Sequence, residues 1–357
     1  MRRIYLDRIR GITVLLVLVY HVFYMFNNAG VPGGVGPLSP FQPQDALLYF
    51  VYPWFMVLLF TVSGMCSRYA LEKQDTKAFL KARTQKLLVP STLGLFVFQW
   101  IVGYFNVKAG GGLDAIPGFL RYPVFVLSGI GPLWFIQVLW IFSLLLCLLR
   151  KLKCTEKLYA LCEKCSWPVL IAFALLLWGA AQVLNAPVIT TYRFGIYFAA
   201  FLLGYFVLSH DAVMERVERM RIPLLAVAAV LGCVSVAVYW GQNYAADACL
   251  KSILTNVYAW LMVLAILGCG KAWLNKATPI SDYMTRSGFG IYIVHYLLVI
   301  APCYLLKTET TLPPTVIYLL GLAAVLVGSP LLYELLRRIP FVRSTVLGIK
   351  VARPREG

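Results

Sequence analysis

Apolar residues gather into runs long enough to enter a membrane, with polar and charged residues held in the short stretches between them. A helical span needs roughly 17–25 residues. Runs of that length occupy approximately residues 10–27, 46–67, 87–106, 131–150, 167–184, 192–209, 222–240, 252–270, 288–306 and 314–336. The pattern predicts an all-α polytopic membrane protein with about ten transmembrane helices. Pro123 and the stretch 125–131 read as a short re-entrant or interfacial segment ahead of the fourth span. No segment has the length or composition of a separate soluble domain. Residues 1–340 therefore read as one transmembrane domain and 341–357 as a basic cytoplasmic tail.

Composition agrees: 61% of the 357 residues are hydrophobic and 13% are charged, far from ordinary globular usage. The net charge of +17 does not point to nucleic acid, because the basic residues sit between apolar runs and not on one face of a soluble domain. Along an alternating path through ten spans, only Lys108, Arg121, Arg193, Lys251 and Lys307 fall on one side, and the other lysines and arginines fall on the opposite side. Cytoplasmic loops hold the Lys/Arg excess, so both termini are expected to be cytoplasmic. Arg2 and Arg3 precede an apolar core as in a leader peptide, but no small-x-small site follows, so the segment reads as a retained anchor. The longest uncharged loop, 28–45, is rich in Gly and Pro and could form a lip over a cavity.

The first span carries the most unusual chemistry. Asp7, Arg10 and His21 interrupt an otherwise apolar helix, and ionisable residues within spans usually face an interior cavity and act there. Arg10 and His21 are three helical turns apart, almost in line and about 16 Å apart along the axis. A histidine in low dielectric can accept a proton from a hydroxyl and pass it on, and an arginine can hold a carboxylate, phosphate or thioester oxygen. A structural Asp7–Arg10 pair, with His21 bonded to a neighbouring helix, is the plain alternative. His295, near the middle of the ninth span, suggests a polar cavity shared with His21.

Other candidates are less specific. Arg83 and Lys86 share a helix face in a basic inside loop, as a phosphate grip or as simple positive-inside charge. Gln137, one turn after Trp134 in the fourth span, needs a partner for its amide in lipid. Ser63-Gly64 could let helices approach closely. Arg193 is expected to snorkel at the end of its span. Cys162 and Cys165 form a lone C-x-x-C with Cys154 upstream, and no second pair or histidine completes a metal site.

The stretch Leu6-Asp7-Arg8-Ile9-Arg10-Gly11 followed by His21 resembles the opening of the membrane-bound acyltransferase family 3. Four further features match in order: FTVSG at 60–64, the Arg83-x-x-Lys86 run ending in Leu-Val-Pro, Gly-Pro-Leu-Trp-Phe at 131–135, and Gly-Ile-Tyr-Ile-Val-His at 290–295. Lys86 departs from the usual arginine, which keeps the charge but not a bidentate grip. The resemblance, strongest to a periplasmic-glucan succinyltransferase-like branch, implies transfer of an acetyl- or succinyl-class group from cytoplasmic acyl-CoA to a hydroxyl of a cell-surface carbohydrate or glycolipid. It implies His21 as the catalytic base with Arg10 as its partner. Arg83 and Lys86 would hold the CoA phosphates, and Asp7, Ser63, Trp134, Gln137, Tyr292 and His295 fall among the substrate-binding positions. A polar shaft lined by spans one, two, four and nine would join the two sides. Acyl-CoA enters this expectation as a co-substrate, with no resident cofactor or metal, and the location as the inner or plasma membrane. A proton-coupled transporter or flippase of a glycolipid or polyanion would use the same intramembrane residues. The absence of an internal repeat and of mid-span carboxylates weighs against it.

Overall fold

In hydrocarbon every backbone N–H and C=O must be satisfied within the protein, so apolar runs fold as helices. The computed structural model describes residues 3–187, 191–276 and 278–349. It opens with α1 (Ile4–Met25) and α2 (Ala46–Leu71). The long α3 (Thr76–Ala109) contains two π-helical turns, Thr84–Leu88 and Leu95–Gln99. Next come α4 (Arg121–Ser128), α5 (Leu133–Leu149), α6 (Trp167–Ala180), α7 (Phe194–Phe206), α8 (Asp211–Arg219), α9 (Arg221–Tyr239) and α10 (Ile253–Trp273). Then follow α11 (Pro279–Val294), α12 (Leu297–Thr308) and α13 (Pro314–Leu336), and a short helix at Pro340–Thr345 comes after them. Side chains cap several starts: Asp75 accepts from Ala78 N–H ahead of α3, Ser252 from Thr255 N–H ahead of α10, and Thr278 and Ser281 form a capping box on α11.

Six helices among the described residues are long and apolar enough to cross a membrane, and nine segments are if each of three bent pairs counts as one span. The protein is a multi-pass membrane protein. The expected fifth span, 167–184, is the shorter α6, whose 14 residues cover about 21 Å against a hydrocarbon core of about 30 Å. The departure from helix among the described residues is a small antiparallel ladder of β1 (Asn185–Pro187) and β2 (Thr191–Arg193), with Asn185 opposite Arg193. The expected re-entrant segment at 123–131 is α4, bent 62° from α5 across a short break.

Helices α2 and α10 are mostly buried at the centre of the bundle, whereas α9 and α13 lie at its edge. The outward face of α9 carries Val227, Val230, Val234 and Val238, a surface suited to lipid. Helix α2 packs against α7 at backbone contact: a Cβ on Gly64 would sit 1.9 Å from the Phe201 carbonyl oxygen, and one on Gly204 would sit 2.0 Å from that of Thr61. The 341–357 segment is described as far as Ile349. Within it Val346 and Leu347 are buried, and the chain returns against Pro90 and Lys86 on the face where α1 begins.

Two breaks position the site. Helix α11 bends by 51° into α12 at His295 and Tyr296, and the chain breaks between α4 and α5 at Gly129–Pro132. Non-helical backbone at membrane depth is tolerated where it is enclosed by protein or lines a cavity. Here residues of both breaks, Ile130, Gly131, Pro132 and Tyr296, line the same cavity as His21 of α1. Gly131 adopts φ +39°, and a Cβ there would meet the Tyr296 ring at 3.0 Å.

Candidate active site

The breaks leave backbone carbonyls open to side chains. The Tyr292 hydroxyl donates to the Pro132 carbonyl at 2.6 Å. His295 Nδ1 lies 2.6 Å from the Tyr292 carbonyl. From α1, His21 Nδ1 lies 2.8 Å from the Val17 carbonyl one turn back, and His295 Nε2 is 3.3 Å from His21 Nδ1. The two histidines, expected to share a polar cavity, are in direct contact, but His295 lines neither of the two cavities beside α1 and only His21 reaches one. A carbonyl only accepts, so His21 carries its ring proton on Nδ1, and in the neutral ring Nε2 keeps its lone pair.

His21 lines a cavity of about 360 Å³, together with Trp134, Tyr20, Tyr24, Tyr52, Tyr192, Tyr197, Tyr292 and Tyr296. Trp134 stacks with Tyr197 at 5.7 Å between ring centroids. Asn106, Ser128 and the backbone of Gly33 and Gly34 add polar edges, and among the described residues no charged side chain lines this histidine cavity. Gly33 and Gly34 belong to the 28–45 loop, which does form a lip. Lys307 Nζ holds it through the Val35 carbonyl at 2.8 Å.

A second cavity of about 330 Å³ opens toward the face where α1 begins, lined among the described residues by Arg10, Arg83, Lys86 and Arg286 against one carboxylate, Asp7. Arg10 lies 3.6 Å from Asp7 Oδ1 and 3.9 Å from Cys66 Sγ. Arg83 donates to Ser67 Oγ at 3.0 Å. Lys86 sits within the first π turn of α3, a local irregularity that recurs at functional sites. Ser63 and Cys66 line the wall, and Leu347, Gly348 and Ile349 close one side. The single shaft expected from the sequence is therefore two cavities in this structure, and Tyr292 belongs to the wall of both.

Asp7, Arg10, Ser63, Arg83, Lys86 and Tyr292 come together around the arginine cavity, and His21, Trp134 and Tyr292 around the histidine cavity. His295 stands behind His21, fully buried. Gln137 lines neither cavity. Arg193 does not snorkel. It is 1% exposed and donates to Leu250 O at 2.9 Å and Asn256 Oδ1 at 2.7 Å, because the β2–α7 junction turns it inward. Burial, reinforced by the neighbouring Cys165, pushes the Cys162 thiol up to about 11, opposite to a reactive thiolate. Sequence reasoning found Tyr292 but missed the rest of the tyrosine wall and Arg286. Tyrosines at mid-span positions were the available signal, obscured because tyrosine is ordinary at membrane interfaces.

The family of acyltransferase domains is matched over residues 3–334. The chain belongs to this acyltransferase-3 family. It is an acyltransferase. It is also similar to the glucans biosynthesis protein C of Shigella boydii serotype 4, at 23% identity over 385 aligned residues that cover 99% of this chain and 96% of that protein. No solved structure matches it.

Proposed function

We propose that the protein moves an acyl group of the acetyl or succinyl class from acyl-CoA, held in the arginine cavity, to a carbohydrate hydroxyl held in the histidine cavity. His21 acts as general base. The observation that carries this reading is the commitment of His21 Nδ1 to the Val17 carbonyl, which leaves Nε2 as a basic nitrogen in a cavity that no described residue lines with a charged side chain. Nε2 takes the proton of the acceptor hydroxyl as its oxygen attacks the thioester carbonyl carbon. The tetrahedral intermediate collapses by breaking the C–S bond. The proton on Nε2 passes to the departing thiolate, so ester and free CoA thiol are the products.

The donor assignment is supported by four cations against one carboxylate among the described residues of the arginine cavity, a surplus suited to phosphates and, for a succinyl donor, to a further carboxylate. The acceptor assignment is supported by tyrosine and tryptophan rings that offer apolar faces with polar edges, as a sugar does. The name of the Shigella boydii relative makes a glucan the first acceptor to test. We place the basic face in the cytoplasm on the Lys/Arg asymmetry, with the chain in an inner or plasma membrane and α6 counted as a tenth span.

Membranes carrying the protein are incubated with labelled acetyl-CoA or succinyl-CoA and a glucan, and label is sought in carbohydrate. Transfer that His21→Ala abolishes supports the reading. Full transfer in that variant overturns it.

A further inference from the structure

We infer that His295 is the positioning residue of the reaction, a neutral hydrogen-bond acceptor that aims the basic nitrogen of His21 into the histidine cavity. The inference deepens the reading of His21 as base and rests on it. His295 Nδ1 at 2.6 Å from the Tyr292 carbonyl must hold a proton, since a carbonyl cannot donate. A neutral imidazole has one ring proton, so His295 Nε2 is a bare lone pair. His21 Nδ1 is protonated for the same reason, against Val17. The 3.3 Å separation of His295 Nε2 and His21 Nδ1 then has one consistent polarity: the His21 proton is shared between the Val17 carbonyl and His295.

Two further features fit. His295 is fully buried and does not line the cavity, so it acts through His21 and not on substrate. In addition, among the described residues no carboxylate lines the cavity to orient His21, which is the usual device for a catalytic histidine. A carboxylate at this depth would be costly to bury, whereas an imidazole supplies the same acceptor without charge. When Nε2 takes the acceptor's proton, His21 becomes a cation and its Nδ1–H bond to His295 becomes charge-assisted, hence stronger. The break after α11 contributes by freeing the Tyr292 carbonyl that fixes the tautomer of His295.

The chain has three histidines, so ring-nitrogen NMR of histidine-labelled protein in lipid resolves each site. Protonated Nδ1 and bare Nε2 on both His21 and His295, with a cross-correlation between His21 Nδ1 and His295 Nε2, are the expected signals. A proton on His295 Nε2 in the wild-type protein overturns the inference. Kinetics give the second arm. His295→Leu should lower kcat on the order of 10–100-fold, by analogy with the range for losing the group that orients a metal-bound histidine, while KM for acyl-CoA stays unchanged. His295→Gln should restore most of kcat, because its amide N–H can donate to Tyr292 and its oxygen can accept from His21. An unchanged kcat in the leucine variant, or equal losses in both, overturns the inference. Should His21→Ala retain transfer, it is the reading of His21 as base that falls, and the NMR pairing is still read out separately.

Discussion

Arg10 and His21 project from nearly the same face of α1 into different cavities, Arg10 among the cations and His21 among the tyrosines. The eleven residue steps from one to the other correspond to about 16 Å of helix. One rigid element therefore fixes the distance from the phosphate-attracting region to the basic nitrogen. A thioester reaching His21 from the arginine cavity must pass Tyr292, which stands in both walls and is tied to the Pro132 carbonyl.

Removing that ring should join the cavities. Cys66 lines the arginine cavity and is a native reporter. In sealed vesicles of defined orientation, a membrane-impermeant thiol reagent should reach Cys66 in the wild-type protein from the face where α1 begins and not from the opposite face. In Tyr292→Ala it should reach Cys66 from both, as read by mass spectrometry of the Cys66 peptide. Equal labelling from both faces of the wild-type protein would show that Tyr292 is no barrier.

Charge removal in the arginine cavity should act on the donor. Arg83→Gln with Lys86→Gln is expected to raise KM for acyl-CoA about tenfold or more, since charge-assisted hydrogen bonds contribute about 1.5–3 kcal/mol each, and to change kcat less. Lys86→Arg keeps the charge and should leave KM near the wild-type value. Initial rates over a range of acyl-CoA concentrations check both, and an unchanged KM in the double variant removes the donor role.

Much of the site was legible because membrane burial makes polar residues conspicuous. Arg10, His21 and His295 stand out against their runs, and their cost in lipid is the signal. The same logic misplaced Arg193, because a charge near a span end looks like a snorkelling one until the hairpin that turns it inward is known. The division into two cavities was not legible. It depends on Tyr292, one apolar-looking residue among the chain's 21 tyrosines, and on two helix breaks whose meeting point is tertiary. The π turns of α3 were equally hidden, since an inserted residue leaves the apolar run intact.

Helix α8 turns 107° from α7 onto the basic face, where Asp211 pairs with Arg3. The hydrogen bond and charge of Arg3 hold the Asp211 carboxyl below its usual value. A carboxylate with a depressed folded-state value contributes its stability above the unfolded value, and the contribution fades as pH falls through the folded one. Both side chains are partly solvated, so Asp211→Asn should cost at most about 1 kcal/mol at neutral pH, less in high salt, and nothing once acid has protonated the wild-type carboxyl. Thermal unfolding of the two proteins at neutral and strongly acidic pH measures this.

The contact of α2 and α7 yields the sharpest prediction about stability, because the same substitution should have opposite effects at two glycines. At Gly64 the added methyl meets the Phe201 carbonyl oxygen at 1.9 Å and the Tyr205 backbone nitrogen at 3.0 Å. Neither can swing away as a side chain could, so the helices must separate. Overpacking of this kind costs about 1–3 kcal/mol or more, and the reciprocal fit of Gly204 against Thr61 is lost with it. At Gly179, inside α6, an added Cβ meets nothing within 4 Å, and alanine is favoured over glycine in a helix by roughly 1 kcal/mol. Gly64→Ala should therefore unfold at a lower temperature than the wild-type protein in detergent, and Gly179→Ala at the same or a higher one. Ser63, beside Gly64, lines the arginine cavity, so the Gly64 variant should also lose transfer activity at temperatures where it remains folded. Equal thermal stability of the two variants would mean that α2 and α7 do not approach at their backbones.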